Sequence, residues 1–175
     1  MGMKTILYVL ITLSFLNTNS IAQQASSPCS CCDESYQQFD FWIGDWIVKQ
    51  KGKMAGFNKI VKIENNCVIR ENWKSYGSAY TGTSYNFYDK LEKKWKQVWV
   101  DNQGTTLLLT GGRVGNQMIL SSKEKIDEDG KGVINRITWT NNSDGTVRQL
   151  WEQSQDGGIT FTPLFDGLYR KRKKP

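Results

Sequence analysis

The sequence contains no histidine among its 175 residues. Without an imidazole there is no Ser-His-Asp triad, no Cys-His pair, no His-ligated zinc or copper, and no haem held by a proximal histidine. Any chemistry must therefore use carboxylates, Tyr, Lys, Arg or Cys. Only three residues are proline, whereas seven are tryptophan and 23% are charged. This composition excludes a disordered chain and fits a single packed domain.

An export signal is predicted at residues 1–22. Lys4 supplies a positive start, residues 6–16 form an apolar run, and Ser20 and Ala22 place small residues where signal peptidase reads them. We expect cleavage after Ala22 and an exported mature chain, either periplasmic or secreted. The apolar run is too short for a membrane anchor, which needs about 20 residues. No integral membrane segment is therefore expected once the signal is removed.

The positive charge is concentrated at the C-terminus. Loss of Lys4 leaves 22 basic and 17 acidic residues, a net charge of +5, and leaving out the four basic residues 171–174 as well reduces it to +1. Such a tail either touches anionic lipid or nucleic acid, or is simply solvated. Because exported proteins rarely meet nucleic acid, we expect no nucleic-acid partner.

Four cysteines follow the signal: Cys29, Cys31, Cys32 and Cys67. Their even number in an exported chain predicts disulfides, with three pairings that the sequence does not separate. A bridge from the first three to Cys67 would tie the N-terminal segment to the body. Four thiolates can also hold zinc or copper(I), but C-x-C-C differs from the C-x-x-C spacing of such sites. We therefore expect disulfides and no metal.

Short runs of alternating polar and apolar residues predict antiparallel strands through the rest of the chain. Helical character is confined to residues 33–41, where Asp33 is a candidate N-cap. The predicted strands cover 43–50, 57–64, 67–75, 80–88, 94–101, 105–111, 116–124, 132–140, 146–153 and 167–172. Closing this meander into a barrel removes its unpaired edges, and an open sandwich is the alternative.

The predicted fold is all-β: an antiparallel up-and-down barrel of about eight to ten strands with a short N-terminal helix. A barrel with closed edges is expected to be a monomer. The predicted segments are a signal peptide at 1–22, a cysteine-containing lead-in at 23–34, the barrel domain at 35–172 and a basic tail at 173–175.

Charged residues predict the inward and outward faces of two strands. Lys94 and Lys96 are expected to face water. The residues alternating with them then face inward: Trp95, Gln97, Trp99 and Asp101. In the strand at 67–75, Arg70 and Lys74 are expected to face out. The inward residues of that strand are Cys67, Ile69, Glu71 and Trp73.

Polar groups among these inward aromatic rings predict a ligand pocket. Glu71, Gln97 and Asp101 would each need partners if buried. Ser84 and Asn86 are expected to join them from the intervening strand, with Arg136 as the countercharge. The predicted ligand-binding residues are Glu71, Trp73, Asn86, Trp95, Gln97, Trp99, Asp101 and Arg136. Alternatively, these groups satisfy one another or lie in water at the barrel mouth.

The segment F-D-F-W-I-G-D-W at 39–46 resembles the Gly-x-Trp opening of lipocalin-like (calycin) barrels, with Gly44 and Trp46 at the motif positions. Arg170 resembles the closing basic residue of that family. With N-C-V-I-R-E-N-W, W-V-D and S-x-D-G-G, the pattern over 36–172 is similar to a group of exported bacterial lipocalin-like proteins. The resemblance implies a cation–π contact between Trp46 and Arg170. Haem-binding calycins use a histidine ligand, so we expect no cofactor here.

The segment S-x-D-G-G-x-T-F at 154–161 resembles the Asp-box hairpin of sialidases and other β-propeller proteins. We interpret a single copy as a structural turn rather than a catalytic element. Asp156 would cap backbone N–H groups there, and the glycines would allow positive φ.

Three functions remain open from the sequence. The preferred one is an exported barrel that binds a small organic molecule. The second is an enzyme in which Glu71 and Asp101 act as an acid/base pair and Arg136 stabilises an anion. The third is a non-catalytic interaction protein with a filled core, docking through its rim loops or basic tail.

Overall fold

The computed structural model describes residues 1–2 and 29–173. The predicted cleavage site after Ala22, nearly all of the predicted signal peptide and the first part of the lead-in lie outside the described residues. Lys174 and Pro175 of the predicted tail do so as well. Within the described residues, no helix is both long enough and apolar enough to cross a membrane.

One short helix and a series of strands form the regular structure of the described chain. Helix α1 spans Glu34–Gln37 and a 3₁₀ turn follows at Asp40–Trp42. Asp33 occupies the N-cap position of α1, but its side chain makes no capping hydrogen bond. The strands are β1 (Gly44–Gln50), β2 (Lys53–Ile63), β3 (Val68–Ser75), β4 (Thr81–Asp89), β5 (Lys94–Asp101), β6 (Thr106–Val114), β7 (Gln117–Ser121), β8 (Lys125–Ile126), β9 (Gly132–Asn141), β10 (Val147–Ser154) and β11 (Thr162–Lys171).

The strands close into a barrel. Their antiparallel order is β10-β11-β1-β2-β3-β4-β5-β6-β7-β9, and β9 also pairs with β10. The two-residue strand β8, which the sequence did not predict, pairs only with the start of β9. The predicted up-and-down barrel with a short helix is thus confirmed, with ten strands in the ring, and the open sandwich is excluded. The fold is compatible with a lipocalin-like barrel.

Aromatic side chains fill the end of the barrel next to α1. Phe39 and Trp42 enter from the segment that precedes β1, and both are fully buried. Their rings stack at 4.9 Å, and Phe39 meets Trp139 edge to face at 5.1 Å. The Trp46 Nε1 donates to the Trp42 carbonyl at 2.9 Å. This plug fills one end of the interior, and the cavity lies in the opposite half.

The cation next to the opening tryptophan is Lys171. Its Nζ lies 5.4 Å from the Trp46 ring centre, and the two residues are direct partners in the β1–β11 ladder. Arg170 is exposed because alternation along β11 places it on the face opposite the buried Tyr169. The expected contact between Trp46 and Arg170 is therefore wrong, and the neighbouring residue Lys171 makes the cation–π contact instead.

Two disulfides fix the N-terminal segment. Cys29 pairs with Cys32, and Cys31 pairs with Cys67 across a separation of 36 residues. The second bridge attaches the lead-in to the residue before β3, as the sequence suggested for one of the pairings. All four sulfurs are used in these bonds.

Candidate functional site: an aromatic-walled cavity

The half of the barrel farther from α1 encloses a cavity of about 660 Å³. Small-molecule sites in proteins typically have volumes of about 300–1,000 Å³. The interior formed by the described residues is therefore filled at the base of the barrel and contains a cavity in its other half.

Two glycines make room for tryptophans in the cavity wall. A Cβ on Gly82 would overlap the Trp99 ring, and a Cβ on Gly56 would lie 2.7 Å from the Trp73 ring. Each indole therefore lies directly over the backbone of a neighbouring strand. Because the two rings lie flat against the wall, they occupy less of the barrel interior than rings that pointed toward its centre would.

Hydrogen bonds hold two of the cavity's indoles in place. Trp73 donates from Nε1 to the Ser75 hydroxyl at 3.0 Å, and Trp151 donates from Nε1 to the side-chain Oδ1 of Asn135 at 2.8 Å. Phe165 packs edge to face on Trp73 at 6.0 Å between ring centres. The polar atoms of these two indoles are thus satisfied by neighbouring residues.

A buried carboxyl group forms part of the cavity floor. Glu71 is 3% exposed, and its two oxygens accept hydrogen bonds from Asn58 Nδ2 and the Ser84 hydroxyl, both at 2.6 Å. Burial raises its pKa from 4.5 to about 7, although the hydrogen bonds from Ser84 and Asn58 lower it. The group therefore changes charge near neutral pH.

A hydrogen bond to one backbone carbonyl fixes the orientation of the side-chain amides of Asn86 and Gln97. Asn86 donates from Nδ2 to the Ile69 carbonyl at 3.1 Å, so its Oδ1 must be an acceptor. Gln97 accordingly donates from Nε2 to that oxygen at 2.8 Å. Ser84 accepts hydrogen bonds from both amides, and its hydroxyl donates a hydrogen bond to Glu71. The Gln97 Oε1 is left without a hydrogen bond from any described residue.

Tyr169 completes the floor. Its hydroxyl accepts a hydrogen bond from Asn58 Nδ2 at 3.3 Å and donates to Gln149 Oε1. Burial and the nearby Glu71 raise the pKa of Tyr169 well above its usual value. The phenol therefore stays neutral whenever Glu71 titrates.

Asp101 lies at the cavity rim and is fixed by its own turn. It accepts hydrogen bonds from the backbone N–H groups of Gln103 and Thr105, both at 2.9 Å, and from the Tyr80 hydroxyl at 2.9 Å. Partial burial raises the pKa of Asp101, but these bonds outweigh it and the pKa is lowered. Burial and the bond to Asp101 raise the pKa of Tyr80 to about 12.

The two carboxyl groups of the predicted acid/base pair, Glu71 and Asp101, both line the cavity but are held by different hydrogen bonds. Across the sheet, Asp101 and Trp73 both pair with Gly82. Asp101 therefore lies level with Trp73, which is two residues nearer the open end of the barrel than Glu71. No hydrogen bond joins the two carboxyl groups of Glu71 and Asp101 in this part of the chain. Each has its own set of donors.

Five of the eight residues predicted to bind a ligand line the cavity. They are Glu71, Trp73, Gln97, Trp99 and Asp101. Asn86 instead lies in the buried network and orients Gln97. Trp95 belongs to the filled base, where its Nε1 donates to the Ser35 carbonyl and to Gln38, each at 3.2 Å.

Arg136 lies on the outside of the barrel, which corrects its predicted role as the countercharge of Glu71. Its guanidinium donates to Glu152 at 3.1 Å and stacks 3.6 Å from the Phe161 ring centre. Along β9, Arg136 stands between Asn135 and Ile137, which line the cavity. Alternation in the strand therefore directs the arginine outward.

Sequence reasoning missed several lining residues on β10 and β11. Gln149 and Trp151 alternate with the charged Arg148 and Glu152, so the argument applied to β5 would have placed them inside. Phe165 follows a bulge in the β10–β11 ladder, where simple alternation fails.

The hairpin at 154–161 is a closed turn. Asp156 accepts hydrogen bonds from the Ile159 N–H at 3.0 Å, the Thr160 N–H at 2.9 Å and the Ser154 hydroxyl at 2.7 Å. Bonds from Thr160, Ser154 and the backbone lower the pKa of Asp156 to about 2. All of these contacts lie within the turn itself.

Comparison with known proteins does not assign the chain to a family. No model of a protein family matches the chain, and a search of curated proteins finds no match. The function is therefore argued from the cavity and its residues.

Proposed function

We propose that this protein is an exported, lipocalin-like carrier that binds a small organic molecule in the open half of its barrel. The observation that carries this proposal is the cavity of about 660 Å³, with aromatic walls and a polar floor. Apolar walls supply affinity, and a few convergent polar groups fix the orientation of a ligand.

The placement of the polar residues favours binding over catalysis. The acid/base hypothesis requires Glu71, Asp101 and Arg136 to act on one molecule. Asp101 is held by its turn, and Arg136 pairs with Glu152 on the outer face. Glu71 alone remains in the floor, where a single carboxyl group fits recognition of a ligand.

Export is supported by the disulfides. Bridges such as Cys31–Cys67 persist in oxidising compartments and are rare in the cytosol. If the signal at 1–22 is removed as proposed, the protein recovered from the exported fraction of its host begins at Gln23. A recovered protein that retains Lys4 would contradict this cleavage.

Native mass spectrometry tests the carrier function. The protein is purified from the exported fraction of its own host and compared with two variants, Leu107→Trp and Leu108→Trp. Leu107 lines the cavity, whereas the adjacent Leu108 is 52% exposed on the outer face. The two substitutions therefore add the same ring on opposite sides of one strand.

We expect wild type and Leu108→Trp to carry an extra mass that denaturation releases. Leu107→Trp should carry less of it, because the added ring occupies the cavity. Equal occupancy in the two variants, or no bound mass in any of the three proteins, would contradict the proposal.

A further inference from the structure

We propose that the ligand is an organic cation, a protonated amine attached to an apolar body. This inference rests on the proposed carrier function and specifies the ligand class of the same cavity. It is argued from the charge of the lining, the free acceptors in the floor and the aromatic walls.

The ionisable lining of the cavity has one sign. Glu71 and Asp101 contribute carboxyl groups, and none of the described residues that line the cavity is lysine or arginine. The arginine nearest in sequence to the lining of β9, Arg136, points outward to Glu152. An anionic ligand would meet like charge without compensation, which costs several kcal/mol in a desolvated site.

The floor has hydrogen-bond acceptors to spare. Each oxygen of Glu71 accepts one bond, whereas a carboxylate offers about four acceptor positions. Gln97 is 3% exposed, lines the cavity and has an Oε1 without a described partner. An alkylammonium group carries up to three N–H donors and no acceptor, so it complements these oxygens.

The walls suit the rest of such a molecule. Trp73, Trp99 and Trp151 line the cavity, and indole is the aromatic group that attracts a cation most strongly. The Nε1 atoms of Trp73 and Trp151 are already bonded to Ser75 and Asn135. These rings therefore contribute their π faces and edges rather than polar donors.

The charge of the floor depends on pH through one group. Glu71 is faced by Asn58 on β2, Ser84 on β4 and Tyr169 on β11, and only Tyr169 among these three titrates. Its pKa lies well above the usual value, so it stays neutral near pH 7. At the rim, Asp101 has a lowered pKa and remains charged.

Tyr80, which donates to that rim carboxylate, has a pKa raised to about 12 and stays neutral. Ionisation of Glu71 near pH 7 is thus the change that strengthens cation binding. Affinity for a cation should rise between about pH 6 and about pH 8.

Three probes of equal size test the inference: 3-phenylpropylamine, 3-phenylpropan-1-ol and 3-phenylpropionate. Binding to the full mature protein is measured by tryptophan fluorescence and calorimetry. We expect the amine to bind at least about tenfold more tightly than the alcohol at pH 8, and the carboxylate to bind most weakly. The preference for the amine over the alcohol should shrink at pH 6.

Glu71→Gln should remove most of the amine's preference over the alcohol. The matched control, Glu128→Gln on an exposed turn, should keep it. In Glu71→Gln, turning the Asn58 amide lets its Oδ1, now buried without a partner, accept from the new amide, while its Nδ2 gives up the hydrogen bonds to residue 71 and Tyr169. If the variant does not fold, the pH dependence of the wild-type preference carries the test.

The outcomes separate the two proposals. Equal affinity for amine and alcohol, or tighter binding of the carboxylate, would overturn the cation and leave the carrier function standing. An amine preference that persists unchanged in Glu71→Gln would also overturn it. Absence of binding by all three probes at millimolar concentration would count against the carrier function itself.

Discussion

Replacing Glu71 by glutamine should change how stability depends on pH. In the folded protein the Glu71 carboxyl has a pKa of about 7, against 4.5 for the unperturbed group. The folded state therefore binds this proton more tightly than the unfolded state does. Its stabilising contribution is complete below about pH 4.5 and is lost as the pH rises to about 7.

The size of this loss follows from the shift. A difference of one pKa unit corresponds to 1.36 kcal/mol, so wild type should lose about 3 kcal/mol of unfolding free energy across this window through Glu71 alone. Glu71→Gln has no titrating group at this position. Its loss of unfolding free energy over the same pH range should therefore be smaller than that of wild type by about 3 kcal/mol. The difference between the two proteins is more reliable than either curve, because other groups titrate in both.

Urea unfolding followed by tryptophan fluorescence, with the disulfides intact, measures this difference from about pH 4 to about pH 8. Glu128→Gln serves as the control and should run parallel to wild type. Curves for wild type and Glu71→Gln that stay parallel within about 0.5 kcal/mol would refute the argument that burial raises the pKa of Glu71.

Three further tests concern a glycine under an indole, the cation next to Trp46 and the longer disulfide. Gly82→Ala should cost about 1–3 kcal/mol, because its Cβ overlaps the indole that covers it, whereas Gly112→Ala meets open space and should be neutral or stabilising; equal thermal shifts would contradict this. Lys171→Ala should lower the free energy of unfolding by about 0.5–1 kcal/mol, and Arg170→Ala should lower it less. A larger fall of the urea midpoint in Arg170→Ala would instead support the contact between Trp46 and Arg170 that the family resemblance implies. Replacing Cys67 and its bonded partner by serine opens a 36-residue separation and should cost about 4 kcal/mol; a loss below about 1 kcal/mol would mean that the bridge contributes little.

The strands could be predicted from the sequence because alternation and turn residues act locally. The same alternation, anchored by Lys94 and Lys96, placed Gln97 and Trp99 inside the barrel. The same alternation along β9 and β10 places Asn135, Gln149 and Trp151 inside and Arg136 outside. Arg136 was assigned from the need of Glu71 for a countercharge, although its own neighbours along the strand place it outside.

Partners that lie far apart in sequence could not be predicted. Asn58 contacts Glu71 across the β2–β3 hairpin and Tyr169 at a separation of 111 residues, and the second contact exists only once β11 pairs with β1. The cavity itself depends on indoles that lie over glycines of neighbouring strands. No local pattern shows which glycine receives which ring, since that requires the register of the closed sheet.

The most direct test of the binding cavity uses the seven tryptophans of the chain. Their indole N–H signals are followed by NMR while 3-phenylpropylamine, or its alcohol analogue, is added to the ¹⁵N-labelled protein. The account predicts that the main shifts belong to three indoles that line the cavity: Trp73, Trp99 and Trp151. Larger shifts at the four tryptophans of the filled base, or no shift with either probe, would contradict it.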